Sequence, residues 1–163
     1  MNLAKRLKAV KPSPTLSLNA KAKALAAKGA DVVSFAAGEP DFDTPTHVRT
    51  AAKLAIDQGF TRYTATGGIP ELKAAIAEAT KKELNLAATP EQVLVSCGAK
   101  HSIYNLFQAL LSLGDEVVVF APYWVSYPDM IRLADGVPVI VETAAEDGWI
   151  PDAQALRRAL TPK

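Results

Sequence analysis

From residue 93 onward, short apolar runs alternate with helix-like stretches, and this alternation restricts the possible folds more than any other feature. The runs predict three strands separated by two helices, with the strands at residues 93–96, 116–120 and 137–141. A β-α-β-α-β order favours a parallel sheet with right-handed crossovers, whose ligands bind beyond the carboxyl ends of the strands. We therefore assign an α/β class, with a mostly parallel sheet flanked by helices.

The residues that precede this unit are predicted to be largely helical. Asp31–Phe35 is the exception, a short β-type run that leads into a loop rich in turn formers. Pro residues at first helical positions and Gly stops bound the helices, which we expect at residues 15–28, from Thr44-Pro45 to Gly59, and from Pro70 towards Leu84. Thr44 is expected to be an N-cap, and Tyr63 lies in the connector between the last two helices, where an exposed tyrosine is a candidate contact.

The predicted sheet is incomplete at the carboxyl end of the chain. Asp152 is expected to cap a last helix that reaches Leu160, and the sequence stops at Lys163. Three parallel strands bury both faces of a sheet only when further elements cover them. An edge is therefore expected to stand open in this chain on its own.

Composition and charge exclude several classes of protein. The formal net charge of the 163 residues is +1, and Lys and Arg are interspersed with Asp and Glu, so no nucleic-acid partner is indicated. Cys97 is the only cysteine, which argues against an oxidising compartment. The chain has neither the apolar core of a signal peptide nor a run of about 18 apolar residues, so no membrane is expected and the location is interpreted as cytoplasmic.

The loop from Ser96 to Lys100 joins the first predicted strand to a helix. Backbone N–H groups and the positive end of the helix dipole would converge there on one point, and Gly98 would let an anion approach the backbone. The spacing alone fits a phosphate-binding loop and a plain tight turn equally well. The glycine patterns of dinucleotide-binding and P-loop proteins are absent, so a bound phosphate would belong to another cofactor.

Trp124 follows the second predicted strand, on the same rim as that loop. Its ring could stack on a flat cofactor or close the hydrophobic core. His47 and His101 are interpreted as packed or solvated helix residues, and Cys97 as a small buried apolar residue. None of these three receives a catalytic role.

Several segments together closely resemble the class I aminotransferases of fold type I, which depend on pyridoxal 5'-phosphate (PLP). The resemblance covers nearly the whole chain and is strongest to bacterial aspartate aminotransferases of the prephenate-accepting and thermophilic type. The segments that carry it are residues 34–45, Arg62-Tyr63-Thr64, residues 68–72, Gly98-Ala99-Lys100, residues 105–109 and 114–117, and Ala121-Pro122-Tyr123-Trp124 with residues 125–128.

The resemblance implies a role for each matching position. Trp124 would stack on the pyridine ring, and the backbone of Gly98, Ala99 and Lys100 would bind the cofactor phosphate. Tyr63 would reach the phosphate in the neighbouring subunit of a homodimer. The substrate-binding residues implied are Gly38, near the α-carboxylate, with Thr15 and Lys100 at the distal carboxylate of an acidic substrate.

The same resemblance implies transfer of the amino group of aspartate, or of a related amino acid, to 2-oxoglutarate. Residues 1–44 would form an N-terminal arm with the substrate-side segment, and residues 45–163 the first part of the large PLP-binding domain. The family's Schiff-base lysine would lie beyond Lys163, so the chain alone is expected to be inactive. Two alternatives stay open, namely a non-catalytic fragment or dimerisation module, and a different fold type I enzyme such as an aromatic or branched-chain aminotransferase or a lyase.

Overall fold

The computed structural model describes residues 2–10, 12–36, 38 and 40–163. The chain divides into two compact units, and the second of the two boundaries along the sequence falls within a helix, after Ser102. The sheet unit comprises the described residues of 1–37 and Ile103–Lys163, and the helical unit comprises those of Gly38–Ser102.

Two parallel strands form the centre of the sheet unit. β1 (Glu116–Ala121) pairs with β2 (Val137–Glu142) in a register that sets Glu116 opposite Val137 and Ala121 opposite Glu142. The helix α5 (Tyr127–Leu133) connects them and packs on both strands. Its Ile131 is fully buried, so burial of this one face of α5 holds the β1-α5-β2 unit together.

The turns at the amino-terminal end of the sheet fix the register. The Asp115 carboxylate accepts the Ser112 N–H at 2.7 Å, and the Asp115 carbonyl accepts the Val137 N–H at 2.8 Å. Gly136 is enclosed, because a Cβ there would lie 3.0 Å from side-chain atoms of Ile131 and Leu111. The start of β2 therefore approaches its neighbours more closely than any larger residue would allow.

Apart from the part of α4 (Ala99–Leu110) that begins at Ile103, the remaining elements of the sheet unit lie at the two ends of the sequence. A 3-10 helix (Lys5–Ala9) packs on α5, and α1 (Pro14–Ala26) begins where the Ser13 hydroxyl accepts the Leu16 N–H at 3.3 Å. The last helix, α6 (Ala153–Ala159), packs on β2. The Asp152 carboxylate accepts the N–H groups of the first turn of α6, which confirms the expected cap and holds the pKa of that carboxyl below its usual range.

The helical unit contains α2 (Thr46–Asp57), α3 (Pro70–Leu84) and the first turn of α4 (Ala99–Leu110). α3 opens at Pro70, as the sequence predicts, and a short 3-10 helix (Pro90–Gln92) packs on it. The extended segment that follows is tied to the turn before α3, because the Val95 N–H donates to the Gly67 carbonyl at 3.0 Å.

Several expectations for regular structure are wrong at the level of individual elements. Residues 31–35 and 93–96 form no strand, so two of the expected three parallel strands are present in the described chain. An apolar run forms a strand only where a second backbone pairs with it, and the one backbone hydrogen bond between this segment and the turn before α3 in the described residues is from the Val95 N–H to the Gly67 carbonyl. Thr44 is not the cap of α2, which begins at Thr46 after Pro45 without a side-chain cap.

The hydrophobic core is small for the length of the chain. Within the described residues the buried apolar side chains are Ala77, Val119, Met130, Ile131, Ala134 and Val141. In the same part of the chain β1 pairs only with β2, so its other edge stands open, as the sequence analysis expected.

Gly68 gives a stability test of the contact between the α3 turn and the extended segment. Its φ is +105°, and an added Cβ would lie 2.4 Å from a methyl carbon of Val95. We expect Gly68→Ala to lower the free energy of unfolding by about 2–4 kcal/mol, from overpacking and a left-handed backbone together.

The matched control is Gly59→Ala in the same unit, where φ is +82° and no atom lies within 4 Å of the added Cβ. We expect that variant to lower the free energy of unfolding by about 1–2 kcal/mol, from the left-handed backbone alone. Urea unfolding followed by circular dichroism measures both variants. Equal losses would show that the Val95 contact does not constrain Gly68.

Candidate functional site

The loop at Ser96–Lys100 has the geometry of a helix-capping turn in the helical unit. Gly98 adopts a φ of +91°, and α4 begins at the next residue. The Gly98 N–H donates to the Ser96 carbonyl at 2.8 Å, which closes a three-residue turn, while the Gly98 carbonyl accepts from the first turn of α4. The conformation needs glycine, because other L-residues rarely adopt this φ.

His101 has a local role that sequence reasoning missed. Its Nδ1 accepts the backbone N–H of Cys97 at 3.1 Å, so the imidazole reaches back over the start of α4. His101 stands three residues after Gly98, the position from which Glu or Gln side chains cap the preceding backbone in a capping box. That spacing is the sequence signal that could have revealed the contact.

Two further polar features distinguish this loop. The Ser96 hydroxyl oxygen is buried and has no hydrogen-bond partner among the described residues, although buried polar groups are normally satisfied. Cys97 is exposed, so its assignment as a buried apolar residue is wrong. Cys97 lies in the bend between the extended residues 93–96 and α4, and no strand of the described chain pairs with that segment to cover it.

Trp124 lies at the carboxyl end of β1 in the sheet unit, as predicted. β1 ends at Ala121, a cis peptide bond joins Ala121 to Pro122, and the Trp124 carbonyl accepts the Tyr127 N–H at 3.0 Å. The Trp124 side chain is 56% exposed, so it does not close the core of the described chain.

The Trp124 ring borders an open apolar hollow of about 510 Å³. One wall of this hollow is β1, and another is formed by Ile103 and Phe107 on α4. Its lining is almost wholly apolar or aromatic. The hollow therefore offers a flat group an aromatic face and little competition for hydrogen bonds.

The other predicted site residues lie on exposed parts of their own units. Tyr63 is fully exposed in the connector between α2 and α3 and borders a separate hollow of about 510 Å³. Gly38 is exposed in its loop, and Lys100 is the second residue of α4. Thr15 is the second residue of α1 in the sheet unit. The helical unit thus carries Gly38, Tyr63, Gly98, Ala99 and Lys100, and the sheet unit carries Thr15 and Trp124.

No group of three or more His, Cys, Asp or Glu side chains among the described residues is arranged to hold a metal ion. In the same residues, every helix is too short or too polar to cross a membrane.

Comparison with known proteins identifies the family. Residues 30–163 match the family model described as aminotransferase class I and II. The chain belongs to this family. The resemblance inferred from residues 34–45, 98–100 and 121–128 is thereby confirmed.

Individual relatives agree with the family match. The chain is 53% identical over 161 residues to the aspartate/prephenate aminotransferase of Thermus thermophilus, covering 99% of this chain and 42% of the relative. It is 48% identical over 163 residues to the aspartate aminotransferase of Bacillus subtilis, again over 42% of the relative's length. The chain therefore spans about 42% of the curated relatives that it matches.

Solved structures confirm the α/β fold. The T. thermophilus aspartate aminotransferase with maleate superposes with a TM-score of 0.95 at 52% identity, over 99% of this chain and 42% of that one. The Rhizobium meliloti aspartate aminotransferase gives a TM-score of 0.94 at 41% identity, over 99% and 40%. The chain thus has the fold of part of these enzymes.

Proposed function

We propose that the 163 residues are the N-terminal part of a PLP-dependent aminotransferase that transfers the amino group of aspartate, or of a related amino acid, to 2-oxoglutarate. The observation that carries this proposal is identity of about 50% along almost the whole chain to enzymes named as aspartate aminotransferases. The division into an arm and substrate-side segment (1–44) and the first part of the large PLP-binding domain (45–163) belongs to the same proposal.

The Ser96–Lys100 loop fits the phosphate of PLP. A Cβ at Gly98 would meet no atom within 4 Å, so an anion can approach the backbone there from open space. The buried Ser96 hydroxyl is a polar group in need of a partner at the same loop. The Gly98 N–H is already used by the Ser96 carbonyl, so Gly98 contributes mainly its conformation. The amides that open α4, beginning with Ala99, then meet the phosphate, and Lys100 adds a positive charge.

Trp124 is proposed to stack on the pyridine ring of PLP. Its side chain is 56% exposed, and the apolar hollow beside it suits a planar heterocycle. When bound, PLP supplies an electron sink for bonds to the α-carbon of the amino acid. The task of Trp124 is to hold that ring in one plane.

Gly38, Thr15 and Lys100 are proposed to contact the substrate. Gly38 would line the pocket at the α-carboxylate, where the absence of a side chain leaves room. Thr15 and Lys100 would bind the distal carboxylate, as a hydroxyl donor and a cation. One solved relative is the T. thermophilus enzyme with maleate, which is a dicarboxylate, and this agrees with an acidic substrate.

The remaining chemical groups are proposed to lie outside these residues. A lysine that forms the imine with PLP and carries the proton is essential to transamination. We place it, with the partner of the pyridine nitrogen and the arginine for the α-carboxylate, in sequence that follows residue 163. A cytoplasmic location belongs to the same proposal, and its support is that the single cysteine of these 163 residues leaves no disulfide to form among them.

The activity is tested on the complete gene product. With PLP present, we expect transfer from aspartate to 2-oxoglutarate, and borohydride reduction should attach PLP to a lysine outside residues 1–163, as peptide mass spectrometry would show. Aromatic and branched-chain amino acids are the comparison substrates. If the enzyme turns over aromatic or branched-chain amino acids efficiently and aspartate not at all, the proposed substrate is wrong. A pyridoxyl-lysine within residues 1–163 would contradict the proposal that the imine-forming lysine lies outside these residues.

Gly98→Ala tests the phosphate loop against a matched control. Gly98 and Gly114 have φ values of +91° and +90°, and neither has an atom within 4 Å of an added Cβ. Both substitutions should therefore cost similar backbone strain. We expect only Gly98→Ala to weaken PLP binding, by about 10- to 100-fold, because a Cβ in the space from which the phosphate approaches would cost about one charged hydrogen bond to the amides that open α4. Equal PLP affinities in an absorbance titration would rule out the loop as the phosphate site.

Tyr63 is proposed to serve the site of the neighbouring subunit in a homodimer, which its full exposure allows. A Tyr63→Phe subunit mixed with a subunit that lacks the imine-forming lysine should give hybrid dimers with one intact site. Part of the activity should then return, whereas neither parent dimer is fully competent. Hybrids that are no more active than the parents would show that Tyr63 acts within its own subunit.

A further inference from the structure

The carbonyl group of Ala121 marks the point where the chain leaves the sheet towards Trp124. It accepts two hydrogen bonds from one residue, the N–H of Thr143 at 3.1 Å and the Thr143 hydroxyl. Thr143 directly follows β2, and the N–H bond continues the parallel ladder beyond its last pair, Ala121 and Glu142. The hydroxyl bond is additional to the ladder.

The second bond changes how firmly this carbonyl is held. A carbonyl oxygen has two lone pairs, so a ladder bond alone leaves it free to tilt, while two donors from one residue fix its direction. Thr143 is itself partly buried, so its hydroxyl competes less with water than an exposed one would. The peptide plane after Ala121 is therefore clamped by the neighbouring strand.

Trp124 is three residues downstream of this clamp. On its other side, the Trp124 carbonyl accepts the Tyr127 N–H at 3.0 Å, where α5 begins. The segment that presents the indole thus runs between two fixed points, one at the end of β1 and the other at the start of α5. The orientation of the Ala121 carbonyl therefore sets the direction in which the backbone starts towards Trp124 and its indole.

We propose that Thr143 is a positioning residue for Trp124, acting through the Ala121 carbonyl to orient the indole at the carboxyl end of β1. The effect of Thr143 on PLP binding rests on the proposed function, in which Trp124 is the ring that stacks on PLP. The effect of Thr143 on the indole does not rest on it, because the two hydrogen bonds are formed by this chain alone.

The test compares three variants of the complete protein. Thr143→Val removes the hydroxyl but keeps the shape and the N–H, whereas Thr143→Ser keeps the hydroxyl. The control is Thr161→Val, which removes another hydroxyl, one that donates to the Glu116 carboxylate at 2.7 Å at the opposite end of β1. Melting temperature is measured for all three.

The first readout is the fluorescence anisotropy of Trp124 in cofactor-free protein, obtained as the difference between each protein and its Trp124→Phe counterpart. We expect the anisotropy to fall in Thr143→Val and to stay at the parent value in Thr143→Ser and Thr161→Val. An unchanged anisotropy in Thr143→Val, or an equal fall in all three variants, would overturn the proposal.

The second readout is PLP binding, followed by absorbance and by the induced circular dichroism of the bound cofactor. Thr143→Val should bind PLP about 2- to 10-fold more weakly, as for the loss of one neutral hydrogen bond, with an altered dichroic band. Thr143→Ser should restore both. If the parent protein binds no PLP, the proposed function fails while the anisotropy still decides the role of Thr143. If Thr143→Val changes the anisotropy but leaves PLP affinity and dichroism at parent values, positioning for the cofactor is refuted.

Discussion

The pairing of β1 with β2, with Ile131 of α5 buried against them, is the interaction on which the rest of the sheet unit depends. β2 can lie beside β1 only because Gly136 allows close approach and the Asp115 carbonyl receives the Val137 N–H. Everything at the carboxyl end of the sheet follows from this register, including the meeting of Ala121 with Thr143. A slip of one residue would turn every side chain of β2 to the opposite face and separate that pair.

The helical unit depends on backbone contacts of a different kind. Its extended segment is attached to the turn before α3 by a hydrogen bond to Gly67 and by the close approach of Val95 to Gly68. The same segment continues into the Ser96–Lys100 loop. Contacts well outside that loop therefore determine where the start of α4 lies within the helical unit, and glycine at residue 68 is a requirement of packing rather than of chemistry.

Much of the fold could be predicted from the sequence because the relevant signals are local. The runs at 116–120 and 137–141 became strands, Pro70 opened α3, and Asp152 capped α6. The run at 93–96 did not become a strand, since an apolar pattern specifies a preference but cannot supply a pairing partner. Cys97 is exposed for the same reason, because no strand of the described chain pairs with the segment that precedes it. Similarity of residues 34–45, 98–100 and 121–128 to a family is the basis of the proposed cofactor and substrate roles, which no periodicity could have indicated.

The contact between His101 and Cys97 determines the chemical form of the imidazole. A nitrogen that accepts an N–H cannot itself carry a proton, so in this arrangement the neutral ring is protonated at Nε2. The outward edge of the ring is then a hydrogen-bond donor, beside a helix start whose amides are donors as well. The tautomeric state of a single side chain is thus tied to the backbone conformation before α4.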